Sequence, residues 1–240
     1  MNYGFKEPTI TSSDFWLGSG KIGTTEINPS GDWRPFLPEL EIQRINFETQ
    51  ACVSFGTLSA LEMIHKLLYK AEPNYSDRFL AKASDTDPNG GNTPNKVSDT
   101  IKNKGAVPEK DYPMVSTLEE YYQDIPLAIY ITAKTWTKNF DFGYEWVDKN
   151  NLKEALKRSP VGVAVDAWNQ NDKGEYIRLG QSNHWVVCVA FDGLDRPIIW
   201  DSYDNGLKVL EKGYDLQFSQ IYTIKKKPTA KNQNTKKEIG

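Results

Sequence analysis

The chain has 240 residues, of which a quarter are charged and 12% aromatic, with a formal charge of −3. That is an ordinary globular composition, long enough for one large domain or two small lobes around a substantial core. No run approaches eighteen apolar residues, which excludes a transmembrane helix, and the opening MNYGFKEPTI lacks the basic and apolar regions of a secretory signal.

The charge is uneven. The stretch KKKPTAKNQNTKKEIG, residues 225–240, carries six lysines against one glutamate, so the rest of the chain is more acidic than the total. An acidic body argues against nucleic acid as the main partner. The tail is polar and has no apolar period. It reads as a disordered, solubilising end, with a tether to an anionic polymer or lipid as the other reading.

In chain order, residues 1–31 show no strong period and are punctuated by Gly, Ser, Thr and Pro, which predicts an irregular arm. From 49 to 70, Leu58, Leu61, Ile64, Leu67 and Leu68 recur at three- and four-residue steps, the pattern of an amphipathic helix. Thr49 is its expected N-cap, which puts Cys52 in the first turn. Residues 85–108 form a Gly/Asn/Pro loop and a short helix, capped by Thr93, opened by Pro94 and ended by Gly105. A connection at 117–127 leads to a different grammar. AIYITAKTW (128–136) reads as a strand and NNLKEALKRSP (150–160) as a short capped helix. VGVAVDAW, HWVVCVAFD, RPIIWDSY, LKVLEKGY and FSQIYTIKK are β-branched or aromatic-rich and read as strands, with a hairpin turn in FDGLDRP. The expected organisation is an arm (1–31), a helical lobe (32–125), a β-rich lobe (126–224) and the tail, with a ligand cleft between the lobes.

Two cysteines and two histidines are the informative residues. Cys52 and Cys188 stand 136 positions apart in unlike contexts, which makes no disulfide framework, and the four residues are too few for a structural zinc site. No metal or cofactor is expected. A thiol at a helix N-terminus is favoured as thiolate by the helix dipole. An imidazole partner completes its activation and then protonates a departing amine. His65 lies thirteen residues along the same helix, roughly 20 Å away at about 1.5 Å per residue, too far to reach. It reads as a surface or lobe-interface residue. His184 opens a strand in the other lobe, and Asp201, on the next strand of the hairpin, can return to the imidazole and orient it. Set against this is the bland reading, in which Cys52 and Cys188 are small core residues and Asp201 merely ends a strand.

Taken together, these motifs resemble the papain-like cysteine peptidases. CVSFGTLSALE (52–62) is similar to that family's catalytic helix opening, and GDWR (31–34) to its Asp-Trp-Arg near the mature N-terminus. NGG (89–91) resembles the Asn-Gly-Gly that offers backbone to substrate, NHWVVCVAFDG (183–193) the histidine strand, and WDSYDNG (200–206) the Lys-Asn-Ser-Trp-Gly segment. The 132 positions from Cys52 to His184 match the spacing of about 130–150 in papain-type enzymes. The resemblance, spread over about 32–225, implies an α+β, two-lobed fold with a helical N-terminal lobe and an antiparallel, β-barrel-like C-terminal lobe. It also implies Cys52 as nucleophile, His184 as general acid and base, Asp201 as orienter where the family usually has Asn, and Gly90 and Gly91 at the substrate. Gln43 is the expected oxyanion-hole side chain, while a gapless count lands on Asn46, and Gln50 stands closer to the nucleophile. Val53 and Tyr203 replace aromatics of the family, the latter a tryptophan that shields the histidine–orienter bond.

The implied function is a peptidase or amidase that hydrolyses peptide bonds of a peptide or protein substrate through a thioester. The arm is far shorter than the family's inhibitory pro-region, so inhibition by a cleaved pro-segment is not expected. Absent disulfides agree with assembly in a reducing compartment. The stretch GDWRPFLPELEIQ…FETQACVSF also resembles bacteriophage-encoded members, and the expected location is cytoplasmic, in a phage-infected host or associated with a virion. Two alternatives stand beside this. One is a catalytically idle papain-like structural or binding protein, which entails an unreactive Cys52 and a cleft blocked by the arm. The other is a hydrolase of cell-wall peptides, whose compact families place Cys and His much closer together.

Overall fold

The computed structural model describes residues 3–12, 14–19 and 25–228. Six helices and eight strands follow in the order α1 (Cys52–Tyr69), α2 (Asp77–Ala83), α3 (Pro94–Lys104), α4 (Leu118–Tyr121), α5 (Leu127–Asn139), β1 (Phe140–Val147), α6 (Leu152–Leu156), β2 (Val161–Val165), β3 (Asn169–Gln170), β4 (Tyr176–Ile177), β5 (His184–Phe191), β6 (Pro197–Trp200), β7 (Leu207–Val209) and β8 (Gln217–Lys226).

The main sheet runs β1-β8-β2-β5-β6-β7 with antiparallel ladders throughout, and β3 pairs with β4. With β1 and β7 at its two edges the sheet is open, not a closed barrel. β5 sits between β2 and β6, and all its residues but the last are buried. This explains why HWVVCVAF reads as an unbroken apolar run and not as alternation. α1 packs against β5, β8 and β2, with thirteen of its eighteen residues buried. One continuous apolar cluster joins Leu58, Leu61 and Ile64 of α1 to Val163, Val187 and Ile221 of the sheet. Trp33 of the GDWR motif is fully buried in that cluster, donating Nε1–H to the Leu156 carbonyl at 2.7 Å.

Local chemistry sets several boundaries. Ser76 caps α2 by accepting from Phe79 N, and α3 starts with Pro94 at its first position and stops at Gly105, whose φ is +94°. A Cβ on Gly105 would stand 2.1 Å from the Ala133 carbonyl oxygen, so this close approach requires glycine.

Three expectations are corrected, and a fourth is narrowed. AIYITAKTW is helical, not a strand: Ala133 and Trp136 bury one face of α5 while Leu127 and Ile131 stay exposed, and Thr132 and Thr135 bond back to the carbonyls of Ala128 and Ile131. Packing against α3 and β1 overrides the β-branched composition. Thr49 is not the N-cap of α1, a place taken by Ala51 with no side-chain bond. Of the two places read for His65 the surface is excluded: it is buried at 6% exposure, bonded through Nε2 to the Tyr75 hydroxyl and packed on the Phe140 ring at 4.9 Å. Lys225 and Lys226 belong to β8 and not to a tail, while residues 229–240 lie outside the described residues.

Candidate active site

Cys52 is the first residue of α1 and fully buried. The backbone N–H groups of Trp185 and Val53 act to lower its thiol. Trp185 directly follows His184 on β5, and α1 packs against β5, so Cys52 and His184 open two elements in contact. Gly56, one turn after Cys52, permits that approach, since a Cβ there would stand 2.9 Å from the Trp185 ring. Burial pushes the Cys52 thiol well above the usual thiol range, and the charges of Glu48 and Asp201 push the same way, against the two amides. Desolvation thus outweighs the two amides while the site is closed. Cys188 is also free and buried, and burial raises its thiol to about 12, as expected of a core residue.

His184 is buried in a box of rings. Tyr203, Tyr3 and Trp168 have centroids 5.2, 5.4 and 5.7 Å from the imidazole. Its Nε2 lies 2.6 Å from Asp201 Oδ1, and its Nδ1 has no hydrogen-bond partner. An Asp201 carboxylate can only accept, so Nε2 carries the proton and Nδ1 is the ring's acceptor nitrogen. Tyr203 packs edge-on against the imidazole. Asp201 is held in turn by its backbone N–H to Gly206 O and by the ammonium of Lys208, 2.7 Å from Oδ2.

Gln43 is buried, and three partners fix its amide. Ser202 Oγ donates to its Oε1 at 2.9 Å, while its Nε2 donates to Glu48 Oε1 at 2.7 Å and to the Tyr3 carbonyl at 3.2 Å. Of the two alternatives, Asn46 is exposed and Gln50 gives its backbone N–H to Glu48. Glu48 also accepts from the Tyr203 hydroxyl, so it ties the segment before α1 to the loop after β6.

The arm is not a bystander. Tyr3 N–H donates to Asn183 O, Asn92 N–H donates to Gly4 O, and Lys6 N–H donates to Asn92 O. Phe5 stacks on Trp185 with centroids 5.8 Å apart and a 6° interplanar angle. Residues 3–6 therefore run from the imidazole to the NGG loop, with a bend at Gly4, whose φ is +106°. A Cβ on Gly91, whose φ is +83°, would lie 1.8 Å from Gly4 O, and one on Gly90 would meet the Lys6 side chain at 3.0 Å. The two glycines clear the path, while neighbouring Asn92 makes the backbone bonds.

Sequence reasoning passed over Glu48, Asn92 and Lys208, and placed the arm in the cleft only under the idle-scaffold alternative. Asn92 adjoins a motif that was read. Glu48 and Lys208 carried no signal, being charged residues of common types in FETQ and LKVLEKGY. Among the described residues there is no cluster of His, Cys, Asp or Glu suited to a metal ion, and no helix long and apolar enough to cross a membrane.

No protein-family model and no curated protein sequence matches the chain. Solved structures do. Xylellain, a cysteine protease from Xylella fastidiosa, superposes with a TM-score of 0.68 at 18% identity, over 95% of this chain and 96% of that one. Digestive procathepsin L 3 of Tenebrio molitor gives 0.62 at 18% identity over 92% and 76%. The bromelain protease of Ananas comosus, in complex with the E64 inhibitor, gives 0.59 at 20% identity over 80% and 97%. The chain therefore has the papain-like cysteine protease fold.

Proposed function

We propose that the protein is a cysteine peptidase or amidase with a Cys52–His184–Asp201 triad. The observation that carries the reading is the buried His184–Asp201 pair, Nε2 to Oδ1 at 2.6 Å, at the start of the strand against which the cysteine-initiated helix α1 packs.

The thiol of Cys52 gives its proton to Nδ1 of His184 as the sulfur attacks an amide carbonyl. The oxyanion is met by Gln43 Nε2 and by the N–H of Cys52, which as the first helical residue has no intrahelical acceptor. Collapse of the tetrahedral adduct breaks the C–N bond, and the imidazolium protonates the amine. Water, deprotonated by His184, then hydrolyses the thioester. Gln43 suits its role because Ser202 and Glu48 fix which end of the amide is the donor, leaving its second N–H for a carbonyl at the position Tyr3 O occupies. Substrate backbone would take the place of residues 3–6 along Asn92. In the closed arrangement the thiol is buried and neutral, so turnover requires the arm to leave.

That closure favours a second reading, an idle papain-like scaffold whose arm fills its own cleft. Incubation with E64, followed by mass mapping of Cys52, separates the two. Covalent labelling of Cys52 that His184→Ala abolishes supports the peptidase. An unlabelled Cys52, in wild type and in a variant with the arm loosened by Phe5→Ala, supports the scaffold.

A further inference from the structure

Asp201 is gripped by two cationic or ionisable donors, not one. Oδ1 takes His184 Nε2 at 2.6 Å and Oδ2 takes Lys208 Nζ at 2.7 Å. Lys208 is 2% exposed at its side chain, and both Asp201 and His184 are at 0%. Its remaining hydrogen bond goes to the Tyr203 carbonyl at 2.9 Å, and the ammonium lies 5.2 Å from the Trp168 ring centroid.

Burying an ammonium costs several kcal/mol unless a partner compensates, so lysine is among the residues least often found inside. On the three-residue strand β7, Leu207 is exposed at 42% while Lys208 is buried, so the charged residue has taken the inward position and the apolar one the outward. A leucine at 208 would fill such a site more cheaply if packing were the only demand.

The charge arithmetic supplies a demand. A carboxylate whose sole partner is an imidazole strongly favours imidazolium. Shared with an ammonium, it presents a nearly neutral pair that still accepts the ring N–H and fixes its direction. The other groups facing this pair are Cys52 of α1, Glu48 before it, Tyr3 of the arm, Tyr203 and Asp204 after β6, and Tyr176 of β4. Of these, Glu48 and Asp204 are acidic, the latter 72% exposed and 3.7 Å from the ammonium. Lys208 is thus the one cation bonded to the triad among the described residues.

We propose that Lys208 is a positioning residue of the acyl-transfer site, whose ammonium holds the Asp201 carboxylate aimed at His184 and offsets its charge. The Asp201–Lys208 pair then does what the neutral asparagine does in the family this chain resembles. The proposal rests on the peptidase reading above.

The test is the pH profile of Cys52 alkylation by iodoacetamide, mapped by mass, in the full chain carrying Phe5→Ala to admit the reagent. The set comprises that parent and its Lys208→Met, Lys208→Arg, Asp201→Asn and Asp201→Asn/Lys208→Met derivatives, with melting curves to establish folding. Lys208→Met is expected to move the limb governed by His184 upward by about one pH unit, the effect of unmasking a neighbouring carboxylate, while Lys208→Arg stays with the parent. Asp201→Asn, which leaves an unpaired ammonium, moves the limb downward, and the double variant returns towards the parent. A Lys208→Met profile that superimposes on the parent overturns the proposal. Should Lys208→Met fail to fold, coincident profiles for Asp201→Asn and the double variant overturn it equally. An inert Cys52 in the parent removes the peptidase reading and the proposal together. A reactive Cys52 indifferent to residue 208 removes the proposal alone.

Discussion

The ring of Tyr3 lies 5.4 Å from that of His184, and the carbonyl of the same residue accepts the amide of Gln43 at 3.2 Å. One residue of the arm thus covers the imidazole and occupies the donor that would meet an oxyanion. Phe5, 5% exposed against Trp185, is the anchor that holds it there.

Loosening that anchor should open the site. Phe5→Ala and Tyr3→Ala are expected to accelerate Cys52 alkylation at pH 7 at least tenfold over wild type, because each removes a ring contact of about 0.5–1.5 kcal/mol beyond its area burial. Time courses of iodoacetamide labelling check this. Rates equal to wild type in both variants would show that the arm does not limit access.

Gln43→Ala should lower kcat by about 10²–10³ with little change in KM, the cost of losing one oxyanion donor. Glu48→Gln keeps an acceptor for the Gln43 amide and removes a negative charge that pushes the Cys52 thiol up. It should therefore keep kcat within a few-fold and speed thiol alkylation below pH 7. Steady-state kinetics on a peptide substrate and labelling rates at pH 6 test the pair. A large kcat loss in Glu48→Gln would mean that its charge, not its hydrogen bond, is what the site needs.

Stability should pass through a maximum in weak acid. Burial raises Glu109 to about 7, raises Glu41, and raises Glu62 and Asp77 well above the carboxylate range. For Glu109 this contribution is complete below about pH 4.5, the ordinary glutamate value, and is lost as pH rises through 7. Burial lowers His65 to about 4, so its contribution is complete above 6.5 and is lost as pH falls through 4. Glu109→Gln keeps an acceptor for Met114 N without the charge, and should melt higher than wild type at pH 8 and close to it at pH 4.5. Melting curves at the two values decide it. A variant that melts lower at pH 8 would refute the assignment.

Much of the fold was legible where period and punctuation agreed, as in α1, α3, β5 and the turn at 192–195. α5 was misread because Ile129, Ile131 and Thr132 favour strands locally, while burial of Ala133 and Trp136 three apart decides the segment. β1 and α2 were missed because their burial is set by neighbours: β1 pairs with distant β8, and α2 is capped by Ser76 inside a loop-like stretch. In the site, residues with rare chemistry stood out, since two cysteines and two histidines leave few combinations. Glu48 and Lys208 belong to common residue types, and only tertiary packing turns them inward. The arm was legible as irregular, but where it lies depends on backbone bonds to Asn92 and Asn183, which no side-chain pattern encodes.

The central claim is that Cys52 and His184 form one reactive unit once the arm is lifted. The most direct test is the rate of Cys52 alkylation against pH in Phe5→Ala, with and without His184→Ala. The account predicts rapid labelling at about pH 5–6, well below the ordinary thiol value near 8.5, and loss of that low-pH reactivity with His184→Ala. A Cys52 that titrates as an ordinary thiol, or stays inert, in both variants would contradict it.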